Sequence, residues 1–175
     1  MKIRTTTVIG FVLLAAVSRL LPHPPNVAPI MAMALFGGAY LANRRLAFLL
    51  PLAAMLLSDL VIGLHSQLLA VYAAFALIVL IGRGLQQSRT FARIAGSTLL
   101  GSVLFFVITN FGVWAVDQLY PKTWEGLAAC YVAAIPFFRN ALTGDVLYSA
   151  LLFGGFELLA RRIPAIGEPS PASAS

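Results

Sequence analysis

The chain has 175 residues, 60% of them hydrophobic and only 10% charged, a composition far more apolar than that of an ordinary water-soluble domain. Its net charge of +6 does not mark a nucleic-acid binder, because the basic residues stand singly or in pairs between apolar runs instead of lining one face. No stretch alternates polar and apolar residues as the strands of an outer-membrane barrel must.

Six apolar segments follow one another, at residues 5–21, 28–42, 46–64, 68–82, 94–119 and 138–160, joined by 22–27, 43–45, 65–67, 83–93 and 120–137. A hydrocarbon layer about 30 Å thick takes roughly 20 apolar residues per helix. The pattern therefore predicts an all-α integral membrane protein, a six-transmembrane-helix bundle forming a single domain over residues 1–162. The first segment also has the layout of a signal peptide: Lys2 and Arg4, an apolar stretch, then Ala16-Val17-Ser18 as a cleavage site. Arg19 directly after that site disfavours cleavage, and the segment is read as a span. Pro22, Pro24, Pro25 and Pro29 stiffen the first loop and could hold His23 over a cavity, or simply break two helices.

The second and fourth segments have about 15 residues, or roughly 22 Å of helix, which is short for a span. Ala28, Ala32, Ala34, Gly37 and Gly38 recur along the second, the small-residue pattern of a central, closely packed helix. The third carries Ser58 and Asp59, the fourth Tyr72, and the fifth Thr109, Asn110 and Trp114. Residues 120–137 (YPKTWEGLAACYVAAIPF) are too long for a tight turn and too apolar for a free loop. They are expected to form an interfacial or re-entrant helix before the last span, a natural lid. Cys130 lies on it; a lone cysteine excludes an intrachain disulfide and is read as a small apolar residue, with soft-metal ligation the alternative. Arg139, Asn140 and Asp145 are expected to open the last helix, and Glu157 stands one turn from Arg161. Residues 163–175, rich in Pro, Ser and Ala, read as a disordered cytoplasmic tail. The string LFGGxxLxxRR occurs at 35–45 and again at 152–162; it is read as glycine packing followed by a stop-transfer arginine pair, not as a repeat.

Alternate sides for successive connections separate the basic residues. Lys2, Arg4, Arg44, Arg45, Arg83, Arg89, Arg93, Arg161 and Arg162 fall on one side, and Arg19, Lys122 and Arg139 on the other. The positive-inside rule then places both termini in the cytoplasm. With that topology, polar side chains from several helices gather at one depth beneath the outer face, as a binding cavity open to the outside requires. The candidate solute-binding residues are Arg19, His23, Asn26, Asp59, Tyr72, Asn110, Trp114, Arg139, Asn140 and Asp145. A helix start near Arg139 and Asn140 would favour an anionic group. The structural alternative pairs Asp59 with Arg139, or Asp145 with Arg19, as buried ties between helices. Trp114, Tyr120, Trp124 and Tyr131 read most simply as an aromatic belt.

The chain lacks GxxxxGK[ST], HExxH, CxxC and GxSxG, so nucleotide-driven transport by this chain and the common hydrolytic sites are set aside. Two histidines, His23 and His65, are few for a metal site even with Asp59. A GxGD aspartyl protease pattern fails because Leu142 stands where glycine is needed. No catalytic residue, cofactor or resident metal is expected.

The strings SRLLPHPPN (18–26), LSDLVIG (57–63), TNFGVW (109–114) and IPFFRN (135–140) resemble a family of small uncharacterised bacterial six-helix membrane proteins, of DUF6580 type. More loosely, the layout resembles the S-components of energy-coupling-factor vitamin transporters, and is most similar to the solitary cobalamin-uptake type. That resemblance implies a multi-pass bacterial inner-membrane protein that captures a small vitamin-type solute, cobalamin or a related corrinoid included, alone or with an ATP-driven energising module. It implies a ligand-facing set of His23, Asp59, Tyr72 and Arg139. The alternatives are a non-catalytic assembly or stabilising subunit of a larger membrane complex and, third, a membrane enzyme using Asp59 or Asp145 as acid or base.

Overall fold

The computed structural model describes residues 3–64 and 66–167, and these are helical with no strand among them. The helices are α1 (Ile3–Ser18), α2 (Ile30–Tyr40), α3 (Arg44–Ile62), α4 (Leu68–Gly84), α5 (Phe91–Val116) and α6 (Trp124–Ser149). A π-helical turn, Ala150–Gly154, joins α6 to α7 (Gly155–Arg162), and a last turn, α8, covers Pro164–Gly167. Each of the six apolar segments read from sequence thus overlaps one helical rod. Three are long and apolar enough to cross a membrane: α3, α5 and the continuous Trp124–Arg162 rod.

Local chemistry sets the helix starts. Asn43 Oδ1 accepts from Leu46 N at 3.1 Å to begin α3, and Thr90 Oγ1 accepts from Arg93 N to begin α5. Thr123 Oγ1 accepts from Gly126 N at 3.2 Å and Glu125 sits in the first turn of α6. That cap overturns one expectation. Residues 120–137 do not form a separate interfacial or re-entrant helix; from Trp124 they run unbroken into the last rod, with Pro136 accommodated inside it. Nothing between Leu127 and Phe138 terminates a helix strongly enough to separate the two, and one buried stripe, Cys130, Ala134 and Asp145, continues across the join.

Helix α2 is the central element, as its small residues predict. Nine of its eleven residues are buried, so no face of it is left for solvent or lipid. It touches α1, α3, α4, α5 and α6. Its approach to α4 is close enough that a Cβ on Gly38 would collide with the Val79 carbonyl, and one on Gly82 with the Leu35 carbonyl. Gly37 in turn faces the Pro51 ring. The second copy of the LFGG string behaves differently: a Cβ on Gly154, which ends the π turn, would meet nothing, and one on Gly155 would meet only the Phe11 ring. The two strings are therefore not structural equivalents.

Short contacts define two ends of the bundle. At the proline end, Arg19 of the α1–α2 connection meets Asp59 of α3, which also accepts from Tyr72 of α4, and Asp117 after α5 accepts from Ser66 and Gln67 before α4. At the arginine end, Gln86 Nε2 donates to the Gly38 and Leu41 carbonyls and Arg93 to Gly84 O. Of the segment expected to be a disordered tail, Pro164–Gly167 forms a helical turn with Ile166 buried and Gly167 O near Arg4 Nη1. Residues 168–175 lie outside the described part.

Candidate functional site

The ten sequence-derived candidates do not share one cavity; they fall into three groups. Arg19, Asp59 and Tyr72 form the first. Arg19 Nη2 pairs with Asp59 Oδ1 at 2.8 Å, Arg19 Nη1 donates to Ser58 Oγ, and the Tyr72 hydroxyl donates to Asp59 Oδ2 at 2.9 Å. The guanidinium side chain is 10% exposed and the carboxylate 2%. This closed knot ties the ends of α1 and α3 to the start of α4. Arg19 thus pairs with Asp59, neither of the two pairings considered from sequence.

Asn26, Asn110 and Asp145 form the second group, around a cavity of about 330 Å³ between α5 and α6. Phe105, Phe106, Phe137 and Phe138 supply its aromatic walls, and Asn26 stands at its rim on the loop before α2. Asn26 adopts a left-handed conformation (φ 64°), which asparagine tolerates better than most residues. Asn140 Nδ2 reaches the Pro25 carbonyl at 3.4 Å, and Gly144 lies against Val27, so this loop is seated on α6. Asn110 Nδ2 donates back to Phe106 O at 2.8 Å, leaving its side-chain carbonyl as an acceptor.

Asp145 is buried at 7% exposure. Its partner is Ser102, whose Oγ lies 2.7 Å from Asp145 Oδ2 and 2.9 Å from Thr98 O, so one hydroxyl proton serves two acceptors. Among the described residues the ion pairs are Arg19–Asp59 and Arg161–Glu157, which leaves Asp145 without a cationic partner. An unpaired, desolvated carboxylate at a cavity wall is costly to keep and draws positive charge to the cavity.

The remaining candidates stand apart. His23 is exposed in the proline loop, near Pro24 O. Trp114 Nε1 donates to Pro121 O, and its carbonyl accepts from Lys122. Arg139 is exposed. Arg139, Asn140 and Asp145 do not open a helix: they lie more than four turns beyond Trp124, and their backbone N–H groups are spent within α6. The anion preference expected of a helix start at Asn140 is therefore removed. Cys130 is buried with Sγ 3.5 Å from Asn110 O, and among the described residues no three His, Cys, Asp or Glu side chains gather as a metal site. His65 lies outside the described residues.

Sequence reasoning missed Ser102 and the four phenylalanines. A signal was present: Thr98 and Ser102 on α5, and Asp145 and Ser149 on α6, are each spaced i, i+4 and so form matching polar stripes. The stripes meet, Thr98 Oγ1 lying 3.2 Å from Ser149 Oγ. Residues 1–166 match the model of a family of unknown function (DUF6580). No curated protein and no solved structure matches the chain.

Proposed function

The chain belongs to the DUF6580 family of unknown function, and on that premise we propose that it is a multi-pass membrane protein that captures a small, positively charged solute in the α5–α6 cavity. The membrane placement is supported by an inverted burial pattern. Helix α5 buries Thr98, Gly101, Ser102 and Gly112 and exposes Leu99, Leu100, Val103, Val107 and Phe111, the reverse of a water-soluble helix. In this reading the six rods lie in a bacterial inner membrane, the short α2 being shielded by its neighbours. The nine-to-three division of basic residues puts both termini in the cytoplasm and the proline end outside.

The observation that carries the solute reading is Asp145 at the cavity wall: a buried carboxylate with one serine partner, no counter-ion among the described residues, and four phenylalanines lining the same cavity. Carboxylate plus aromatic faces is a set that stabilises an organic cation. A volume near 330 Å³ is at the small end of ligand sites and favours a solute well below corrinoid size within the vitamin-type class. Uptake would proceed alone or with an ATP-driven module on other chains, in the manner of the S-components that the layout resembles.

The test is binding to purified protein in detergent. Choline, thiamine and pyridoxamine serve as cationic probes, nicotinate and pantothenate as anionic ones. At least one cation is expected to raise the melting temperature of the wild type, and Asp145→Asn is expected to weaken that binding at least about tenfold. No shift with any cation, or equal binding by Asp145→Asn, overturns the reading.

A second reading, a non-catalytic assembly subunit, draws on the Arg19–Asp59–Tyr72 knot, whose charges are used up in joining helices and line neither of the two α5–α6 cavities. Co-purification with other membrane chains in fixed stoichiometry would favour it.

A further inference from the structure

A second cavity, of about 720 Å³, is a groove on the same α5–α6 seam but toward the arginine end, and the solute reading does not use it. The Thr98–Ser149 and Ser102–Asp145 contacts stand between the two cavities. We propose that this groove is a binding site for a membrane phospholipid with an anionic headgroup, its acyl chain on the apolar walls and its phosphate near Arg89 and Arg161. The proposal rests on the bilayer placement above, but not on the solute site.

Charge complementarity selects that occupant. Tyr40 stands at the polar end of the groove, with Arg89 4.8 Å and Arg4 5.9 Å from its ring centroid, and Arg161 adds a third guanidinium. Glu157, paired with Arg161, is the one carboxylate among the lining residues, so the end is net positive. Arg89 is held in place by the Ala39 and Gln86 carbonyls through one nitrogen, which leaves its other nitrogens as donors of the kind that grip a phosphate.

Geometry agrees with a lipid lying along the helices. Arg89 precedes α5 and Arg161 ends α7, so both charges sit at one level, where the positive-inside reading places the cytoplasmic headgroups. From Arg161 back to Val146 the lining rises roughly 22 Å at 1.5 Å per residue, enough for a headgroup and the roughly 15 Å depth of one leaflet. The walls are Ile94, Leu99, Val146, Ala150 and Phe153. The π turn lies on this wall, and Gly154 there presents bare backbone to open space.

Gly154 provides the test. Its φ of −66° is helical and nothing lies within 4 Å of a Cβ placed on it, so Gly154→Leu would fill the groove without striking the packed interior. Full-length protein would be reconstituted in nanodiscs of equal parts phosphatidylcholine and phosphatidylglycerol, and the lipids retained on release counted by native mass spectrometry. The wild type is expected to keep one phosphatidylglycerol with about tenfold preference over phosphatidylcholine. Arg89→Gln/Arg161→Gln should lose the preference, and Gly154→Leu should lose the retained lipid. Helical content by circular dichroism confirms that each variant is folded, and flotation with phosphatidylcholine vesicles tests membrane insertion separately from the lipid site. Equal retention of both lipids by the wild type, undiminished retention by Gly154→Leu, or a protein chain or second copy protecting Leu99→Cys from labelling would each overturn the proposal.

Discussion

Asp59 and Asp145 are carboxylates of similar burial in opposite surroundings. Asp59 has a guanidinium and a phenol on its two oxygens; Asp145 has one shared serine proton. Removing either charge of the first pair strands the other in a low-dielectric interior, so Asp59→Ala or Arg19→Met should each cost about 3–5 kcal/mol, and Arg19→Met/Asp59→Leu much less than their sum. Tyr72→Phe should cost about 1 kcal/mol, a single hydrogen bond. Asp145→Asn should instead be neutral or stabilising, because it removes an unpaired buried charge and keeps an acceptor for Ser102. Unfolding in detergent micelles, with each variant beside the wild type, measures all of these. A large destabilisation by Asp145→Asn would mean that Asp145 has a structural partner and would remove the ground for a cation site.

Helix contacts make a sharper test than composition, because two glycines, one from each copy of the LFGG string, have opposite surroundings. Gly38→Leu would drive a side chain into the α4 backbone at Val79 and Gly82, and should cost several kcal/mol or prevent folding. Gly154→Ala meets open space at a helical φ, and should stabilise by about 0.5–1 kcal/mol through the lost freedom of glycine in the unfolded chain. Thermal melts of the two variants should move in opposite directions. Equal behaviour would mean that α2 and α4 are not packed as close as Gly38 and Gly82 imply.

The arrangement of the chain in a bilayer is tested by accessibility. In a Cys130→Ala background, Ser88→Cys at the arginine end and Thr123→Cys at the proline end are both in connections. In right-side-out vesicles an impermeant maleimide should label Thr123→Cys and spare Ser88→Cys, and the order should reverse in inverted vesicles. Labelling of both from one side would contradict six crossings. The 39-residue Trp124–Arg162 rod rises roughly 58 Å, about twice a hydrocarbon core, so the proposed bilayer placement requires part of it to project beyond the apolar layer or the rod to tilt.

The helical class, the six rods and the central place of α2 were legible from apolar run lengths and from the Ala and Gly spacing, since these depend on local composition. The boundary at Trp124 was partly legible, in Thr123 and Glu125, but the apolar content of residues 120–137 outweighed it, and the merged helix moved Asp145 from a helix start to mid-rod. Which charges meet was not legible. Arg19 had two aspartates within plausible reach of one end, and only the lateral order of helices brings it to Asp59 while leaving Asp145 beside Ser102. Periodicity along a chain reports depth and facing; it carries no record of which helix stands next to which. That adjacency, a matter of packing between surfaces distant in sequence, created both cavities on the α5–α6 seam.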